Sequence, residues 1–294
     1  IASAWFVRRW FFYGFVLVSV VEKRMPRFVS FNINGLRARP HQLEAVRDII
    51  MPDVIGLQET KVHDEAFPLE SVQSLGYHVE FFGQKSHYGV ALLSKQAPLF
   101  VQKGFPTDAE DAQRRFIHAR YDFNGQAIDV LNGYFPQGES RKHETKFPMK
   151  RKFYADLTDY ILQLKDEGRS MILMGDMNIA PQDFDIGIGE KNAKRWLSQG
   201  ICSFLPEERE WYQRLLATDL HDTYRHLYEE GESLSWFDYR SKGFDDEPKR
   251  GLRIDHILMT PDLAPKLNGA GVSYDLRGME KPSDHAPIWA DFSD

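Results

Sequence analysis

Short apolar runs recur along the chain, at 28–33, 54–57, 89–93, 127–131, 171–174, 254–259 and 288–290. Each ends near Asn, Gly, Glu, Asp or Ser, as buried strands do. A second period appears between some of them. PHQLEAVRDII at 40–50 opens on proline and sets Leu43, Val46 and Ile50 on one face, which predicts a helix. Residues 150–167 carry Phe153, Leu157, Tyr160, Ile161 and Leu164 as an apolar stripe, and 190–197 and 207–216 predict shorter helices. No repeat or low-complexity linker divides the pattern after Met25. Strands mixed with helices in this way predict a single α/β domain over 25–294, built around packed sheets.

The residues that close the runs are polar. The first delivers Asn32 and Asn34, the second Gln58, Glu59 and Thr60, the fourth Asn132 and Tyr134, and the fifth Asp176 and Asn178. Asp255 and His256 lie at the start of the sixth run, and Ser283, Asp284 and His285 precede the last. Side chains two apart on an extended chain point the same way, so Asn32 with Asn34, and Asp176 with Asn178, are expected to face one place. Taken singly, a strand-end Asp or Asn is ordinarily a turn former or helix cap, and a lone histidine or tyrosine there is ordinary too. Six such strand ends in one chain point instead to a polar pocket of the metal-assisted hydrolase kind.

Composition changes this little. The chain is 294 residues long, 42% apolar, 27% charged and 13% aromatic, which is ordinary for an enzyme domain. Its one cysteine, Cys202, leaves no internal disulfide and fits a reducing compartment. The formal charge of -6 argues against a protein that merely coats nucleic acid. It is compatible with a basic rim around an acidic pocket. Residues 1–24 stand apart: Arg8-Arg9 precede WFFYGFVLVSVV, a stretch shorter than the ~20 residues of a membrane span. They are read as a non-domain N-terminal extension, either signal-like or translated upstream of a start at Met25.

The motifs FVSFNINGLRA (28–38), DVIGLQETK (53–61), NGYFPQGESR (132–141), MGDMNIAP (174–181), SWFDYRSKGFDD (235–246), GLRIDHIL (251–258) and KPSDHAP (281–287) together resemble the exonuclease III family of abasic-site endonucleases. They fall in the family's order from Met25 to Phe292. GYFPQGESR and FLPEEREW (204–211) make the bacterial branch the nearest likeness. The resemblance implies a four-layer α/β sandwich, two β-sheets face to face with helices outside. It implies an Mg²⁺-dependent nuclease, with Mn²⁺ as an alternative ion. Such an enzyme cuts duplex DNA 5′ to abasic sites, degrades 3′ ends and removes 3′ blocks. A monomer with no obligate protein partner, cytoplasmic and nucleoid-associated through DNA, goes with that reading. The same fold also serves inositol phosphatases, sphingomyelinases and secreted nucleases, and GYFPQGESR and SWFDYRSKGFDD argue against those.

By the same resemblance Glu59 is the expected metal ligand, with Asn34 and Asp284 completing the metal site. Mg²⁺ prefers oxygen and keeps several waters, so one or two carboxylates suffice. Asp176 is expected to orient or deprotonate the attacking water with Asn178 beside it, and His285 to donate to a phosphate oxygen with Asp255 orienting its ring. His285 as the base is the alternative. Tyr134 is expected to donate to the phosphate or leaving oxygen. Asn32, Arg115 and Gln137 are expected at the phosphate and DNA. Trp236, Leu252 and Ile254 are expected to line an apolar pocket that takes a flipped-out baseless sugar and is too small for a normal nucleotide.

Overall fold

The computed structural model describes residues 25–231 and 233–293. The expected extension over 1–24 lies outside the described residues. The strands are β1 (Arg27–Asn32), β2 (Val54–Gln58), β3 (His78–Phe82), β4 (Val90–Ser94), β5 (Phe100–Lys103), β6 (Phe116–Phe123), β7 (Gln126–Tyr134), β8 (Ser170–Asp176), β9 (His221–Asp222), β10 (Asp255–Met259), β11 (Leu267–Val272) and β12 (Ile288–Phe292). The α-helices are α1 (Pro40–Ala45), α2 (Leu69–Gln73), α3 (Lys146–Asp166), α4 (Glu190–Gln199), α5 (Pro206–Leu216), α6 (Thr223–Leu227) and α7 (Tyr274–Arg277).

Two six-stranded sheets form, in the orders β11-β12-β1-β2-β4-β3 and β5-β6-β7-β8-β10-β9. Their hydrogen-bonding patterns match. Each has one central parallel pair, β1 with β2 and β7 with β8, flanked by antiparallel neighbours. Between the sheets lies a core that includes Phe28, Val54, Leu92, Tyr121, Val130, Ile172, Met174 and Ile257, all nearly inaccessible. A second core packs β6, β7, β8 and β10 against α3 and α5, and a third packs the first sheet against α1 and α2. The result is helix, sheet, sheet, helix, the four-layer sandwich expected.

All seven expected runs are strands, and β3, β5, β6, β9 and β11 are strands that the apolar-run pattern did not predict. The expected helix at 40–50 stops as an α-helix at Ala45 and continues as a π turn over Val46–Ile50, which still buries Val46 and Ile50. The long helix starts four residues before the expected 150.

This topology gathers the polar ends. The parallel pairs deliver their C-termini, and the antiparallel β10 and β12 their N-termini, to one edge of the sandwich. Tyr134, Asp176 and Asp255 are in direct register across β7, β8 and β10. Gly175 permits it, since a Cβ there would lie 2.0 Å from the Gly133 carbonyl oxygen. Gly56 lets the sheets approach, because a Cβ would fall 2.9 Å from Asn132 Oδ1. The buried Asn132 ties the two sheets: it donates to the carbonyls of Leu57 and Ala91 and accepts from Gln58 at 2.7 Å.

Candidate active site

Asn32, at the end of β1, donates to Glu59 Oε1 and to Asp176 Oδ2, both at 2.9 Å. One amide therefore links the ends of strands in both sheets. Its own Oδ1 accepts from the Asn34 backbone at 3.1 Å. Asn34 turns its amide to Asp284 Oδ1 at 2.8 Å, and Asp284 Oδ2 accepts from the Trp236 indole at 3.1 Å. Lys61 reaches back between Glu59, at 2.9 Å, and Asn34 Oδ1, at 2.5 Å. Asn34, Glu59 and Asn178 all hold the left-handed backbone conformation, at φ 48°, 51° and 54°. Such conformations in residues other than glycine cost about 1 kcal/mol or more and cluster where function sets the backbone.

On the other side His285 meets Asp255 with Nδ1 2.9 Å from Oδ2, and its Nε2 lies 3.7 Å from Asp176 Oδ2. All three are buried, at 4%, 1% and 2% exposure, so their charges are screened by each other more than by water. Burial alone pulls the imidazole pKa down, but Asp255 and then Asp176 more than offset it, to about 10. His285 is thus protonated at neutral pH. For Asp176, burial pushes the carboxyl up, His285 pulls it down, and Asp255 pushes it up again, leaving it at about 7. Asp284 is also pushed up by burial, yet His285, Trp236 and Asn34 hold it below the usual carboxylate range. Burial, then Glu59 and Asp176, push the Tyr134 hydroxyl well above its ordinary value, so it keeps its proton.

Asn178 donates its amide to the Phe135 carbonyl at 3.0 Å and its backbone N–H to Asp176 Oδ1 at 3.1 Å, fixing that carboxylate. Arg115 is 8% exposed, its guanidinium stacked between the rings of Tyr88 and Tyr134 at 4.4 and 4.6 Å. Gln137 is exposed in the loop after β7. Trp236, Leu252 and Ile254 do fall in one cluster, with Ala180 and Phe204. Trp236 alone is partly open, and Leu252 and Ile254 form the floor beneath it. A cleft of about 160 Å³ lies beside it, bounded by Trp196, Asp238 and Arg250. The larger groove between α4 and α5, about 910 Å³, is lined by none of the candidate site residues.

Two residues outside the expected set brace the site. Ser235 Oγ donates to Asp255 Oδ2 at 2.6 Å and accepts from the Ile254 and Asp255 backbones. Ser283 Oγ donates to the Asn32 carbonyl at 2.6 Å. Asp176, Asp255 and His285 offer ligand atoms within 4.8 Å of one another. Glu59 is joined to that group through Asn32, and Asn34 lies between Lys61 and Asp284. Among the described residues no helix is long and apolar enough to cross a membrane.

The sequence profile of the endonuclease/exonuclease/phosphatase family matches residues 29–285. An exodeoxyribonuclease III of Haemophilus influenzae is 61% identical over 267 residues, covering 90% of this chain and 99% of its own length. A 3′ phosphatase from Neisseria, solved with a product DNA hairpin, superposes with a TM-score of 0.84 at 35% identity over 92% of this chain and 100% of that one. An AP endonuclease from Archaeoglobus fulgidus gives a TM-score of 0.82 at 33% identity over 91% of this chain and 99% of that one.

Proposed function

Because the chain belongs to the endonuclease/exonuclease/phosphatase family, we propose that it is a DNA-repair nuclease of exonuclease III type that cuts duplex DNA 5′ to abasic sites. It also degrades 3′ ends and removes 3′ blocking groups, acts as a monomer, and uses Mg²⁺ ahead of Mn²⁺. The observation that carries this reading is the placement of Asp176: a buried carboxylate held by Asn32 and Asn178, with Nε2 of the Asp255-bound His285 3.7 Å away.

A phosphodiester is anionic and resists attack, so the site must neutralise charge, activate water and hold both in line. A base works best with a pKa near the working pH, and burial with the nearby Asp255 raises the Asp176 carboxyl toward it. His285 keeps its proton and donates to a non-bridging oxygen, which favours Asp176 over His285 as base. Asp255 orients and charges the imidazole, and Tyr134 donates to the phosphate or leaving oxygen. Asn178 holds Asp176 in its rotamer. Asn32 fixes Asp176 against the metal side and meets the phosphate. Gln137 and Arg115 meet the strand, Arg115 through the Tyr134 ring on which it stacks. The face of Trp236 over Leu252 and Ile254 takes the baseless sugar.

Glu59, Asp284 and Asn34 are the residues that would hold the ion. The fit is chemical: hard oxygen donors, with the Lys61 ammonium already drawn between Glu59 and Asn34 as a positive charge would be. When bound, the ion supplies Lewis-acid charge to the phosphate and leaving oxygens.

The test is a labelled duplex with one abasic analogue, incubated with Mg²⁺ or with chelator, and with a phosphoinositide as competitor. A single Mg²⁺-dependent nick 5′ to the lesion, unaffected by the competitor, is expected. Full cleavage in chelator, or preferred hydrolysis of the phosphoinositide, contradicts the reading.

A further inference from the structure

The loop that follows Asp176 is held from behind. Four successive backbone carbonyls each accept from a different side chain: Met177 from Tyr154 at 2.7 Å, Asn178 from Lys150 at 2.8 Å, Ile179 from His256 at 2.9 Å and Ala180 from Arg209 at 3.3 Å. Lys150 has the widest grip. Its ammonium also donates to the Gln137 carbonyl at 3.3 Å and to Glu208 Oε1 at 2.5 Å, so its three protons have three acceptors. Lys150 and Glu208 are both at 0% exposure. Glu208 Oε2 in turn accepts from the Ser203 and Leu205 backbones, locking the start of α5. A Cβ at Gly138 would lie 3.0 Å from Lys150 Cδ, so the loop after β7 is packed directly onto this lysine.

A buried ion pair is a poor way to gain stability, since apolar residues of similar volume often serve as well or better. What an apolar side chain cannot do is hold two carbonyls on two loops. Those loops carry Asn178 and Gln137, and Asn178 needs holding, because its φ of 54° is not an intrinsic preference. Resting on the functional reading of Asp176 and Asn178 above, we propose that Lys150, with Glu208 as its counter-ion, is a positioning residue for phosphodiester hydrolysis, setting Asn178 and the Gln137 loop in one geometry against the DNA.

Two variants separate positioning from mere stapling of α3 to α5. Glu208→Gln breaks the ion pair and leaves Lys150 on both carbonyls. Lys150→Met/Glu208→Gln breaks the pair and releases the carbonyls too. Lys150→Leu/Glu208→Leu replaces the second should it not fold. Single-turnover cleavage of an abasic duplex is read per folded enzyme, with duplex affinity measured alongside. Glu208→Gln is expected within about threefold of wild type and the double variant about tenfold or more slower, at unchanged affinity, the scale of a small misplacement at a reacting centre. Added to Asp176→Asn, the double variant is expected to cost less than about twofold more, as residues acting as a unit do. Equal rates for the Lys150-bearing and Lys150-lacking variants overturn the positioning role, as does a full additional loss on Asp176→Asn. Wild-type cleavage by Asp176→Asn itself overturns the functional reading on which it rests.

Discussion

Asn32 donates to Asp176 at 2.9 Å across the gap between the two sheets, so the carboxylate at the end of β8 is set by a residue at the end of β1. Asn32→Ala leaves a buried carboxylate short of a donor, at about 1–3 kcal/mol of stability. The amide also holds the Asp176 pKa down. Its loss is therefore expected to move the acid limb of the cleavage profile to higher pH and to slow cleavage about 10²-fold, the range of one positioned catalytic hydrogen bond. Rates against pH for the variant check both effects.

The wild-type profile follows from the two buried groups. With Asp176 as the proposed base, cleavage is expected to rise as pH increases through about 7. With His285 as the proposed donor, it is expected to fall as pH increases through about 10. Asp255→Asn removes the largest charge that holds the imidazole up. The alkaline limb is then expected at lower pH, with the acid limb lower also because Asp255 raises Asp176. An alkaline limb that does not move excludes His285 as its source.

Glu59 ends the run after β2 with its carboxylate toward Asn32 and Lys61. Glu59→Gln keeps the shape and removes the charge. The Mg²⁺ concentration for half-maximal cleavage is expected to rise at least about tenfold, the lower end of what disturbing a metal site costs. Duplex affinity in chelator is expected to stay within a few-fold, and the two titrations together distinguish metal binding from DNA binding.

Behind the site, Arg253 is buried between Asp185, at 2.8 Å, and Asp222, at 2.7 Å. Arg253→Met removes the one cation shared by both carboxylates, leaving Asp185 to Arg225 and Asp222 to Tyr212 and His256, and is expected to cost about 3 kcal/mol, read from denaturant unfolding. Arg253→Lys is expected to recover only part of this, because one ammonium cannot reproduce the two-sided fork.

Much of this arrangement was legible in the chain. The runs that became β1, β2, β4, β7, β8 and β10 are buried on both faces and therefore read as continuous apolar stretches, while β12 buries alternate residues. FIHARYDF became β6 although it alternates: Ile117, Ala119, Tyr121 and Phe123 enter the core between the sheets, while His118 is buried on the other face against Tyr160 and Asp129. Its period of two was present and was hidden by the charges. The edge strands β3 and β5 contain no fully buried residue, β9 is only two residues long, and β11 contains two glycines, so none gives an apolar run. The polar strand ends announced the site because all sit on one edge. The residues that brace them were not legible, since Ser235 lies 20 residues from Asp255 and Lys150 lies 28 from Asn178, and only the folded sheets bring them together.

The central claim is that Asp176 activates water beside a charged His285, and Asp176→Asn tests it most directly. The substitution keeps the side-chain shape and removes the negative charge. In single-turnover cleavage of one abasic duplex at saturating enzyme with Mg²⁺, the variant is expected to bind the duplex at least as tightly as wild type and to cleave about 10²-fold or more slowly, the scale of general base catalysis. Cleavage by Asp176→Asn at a rate near wild type would contradict the account.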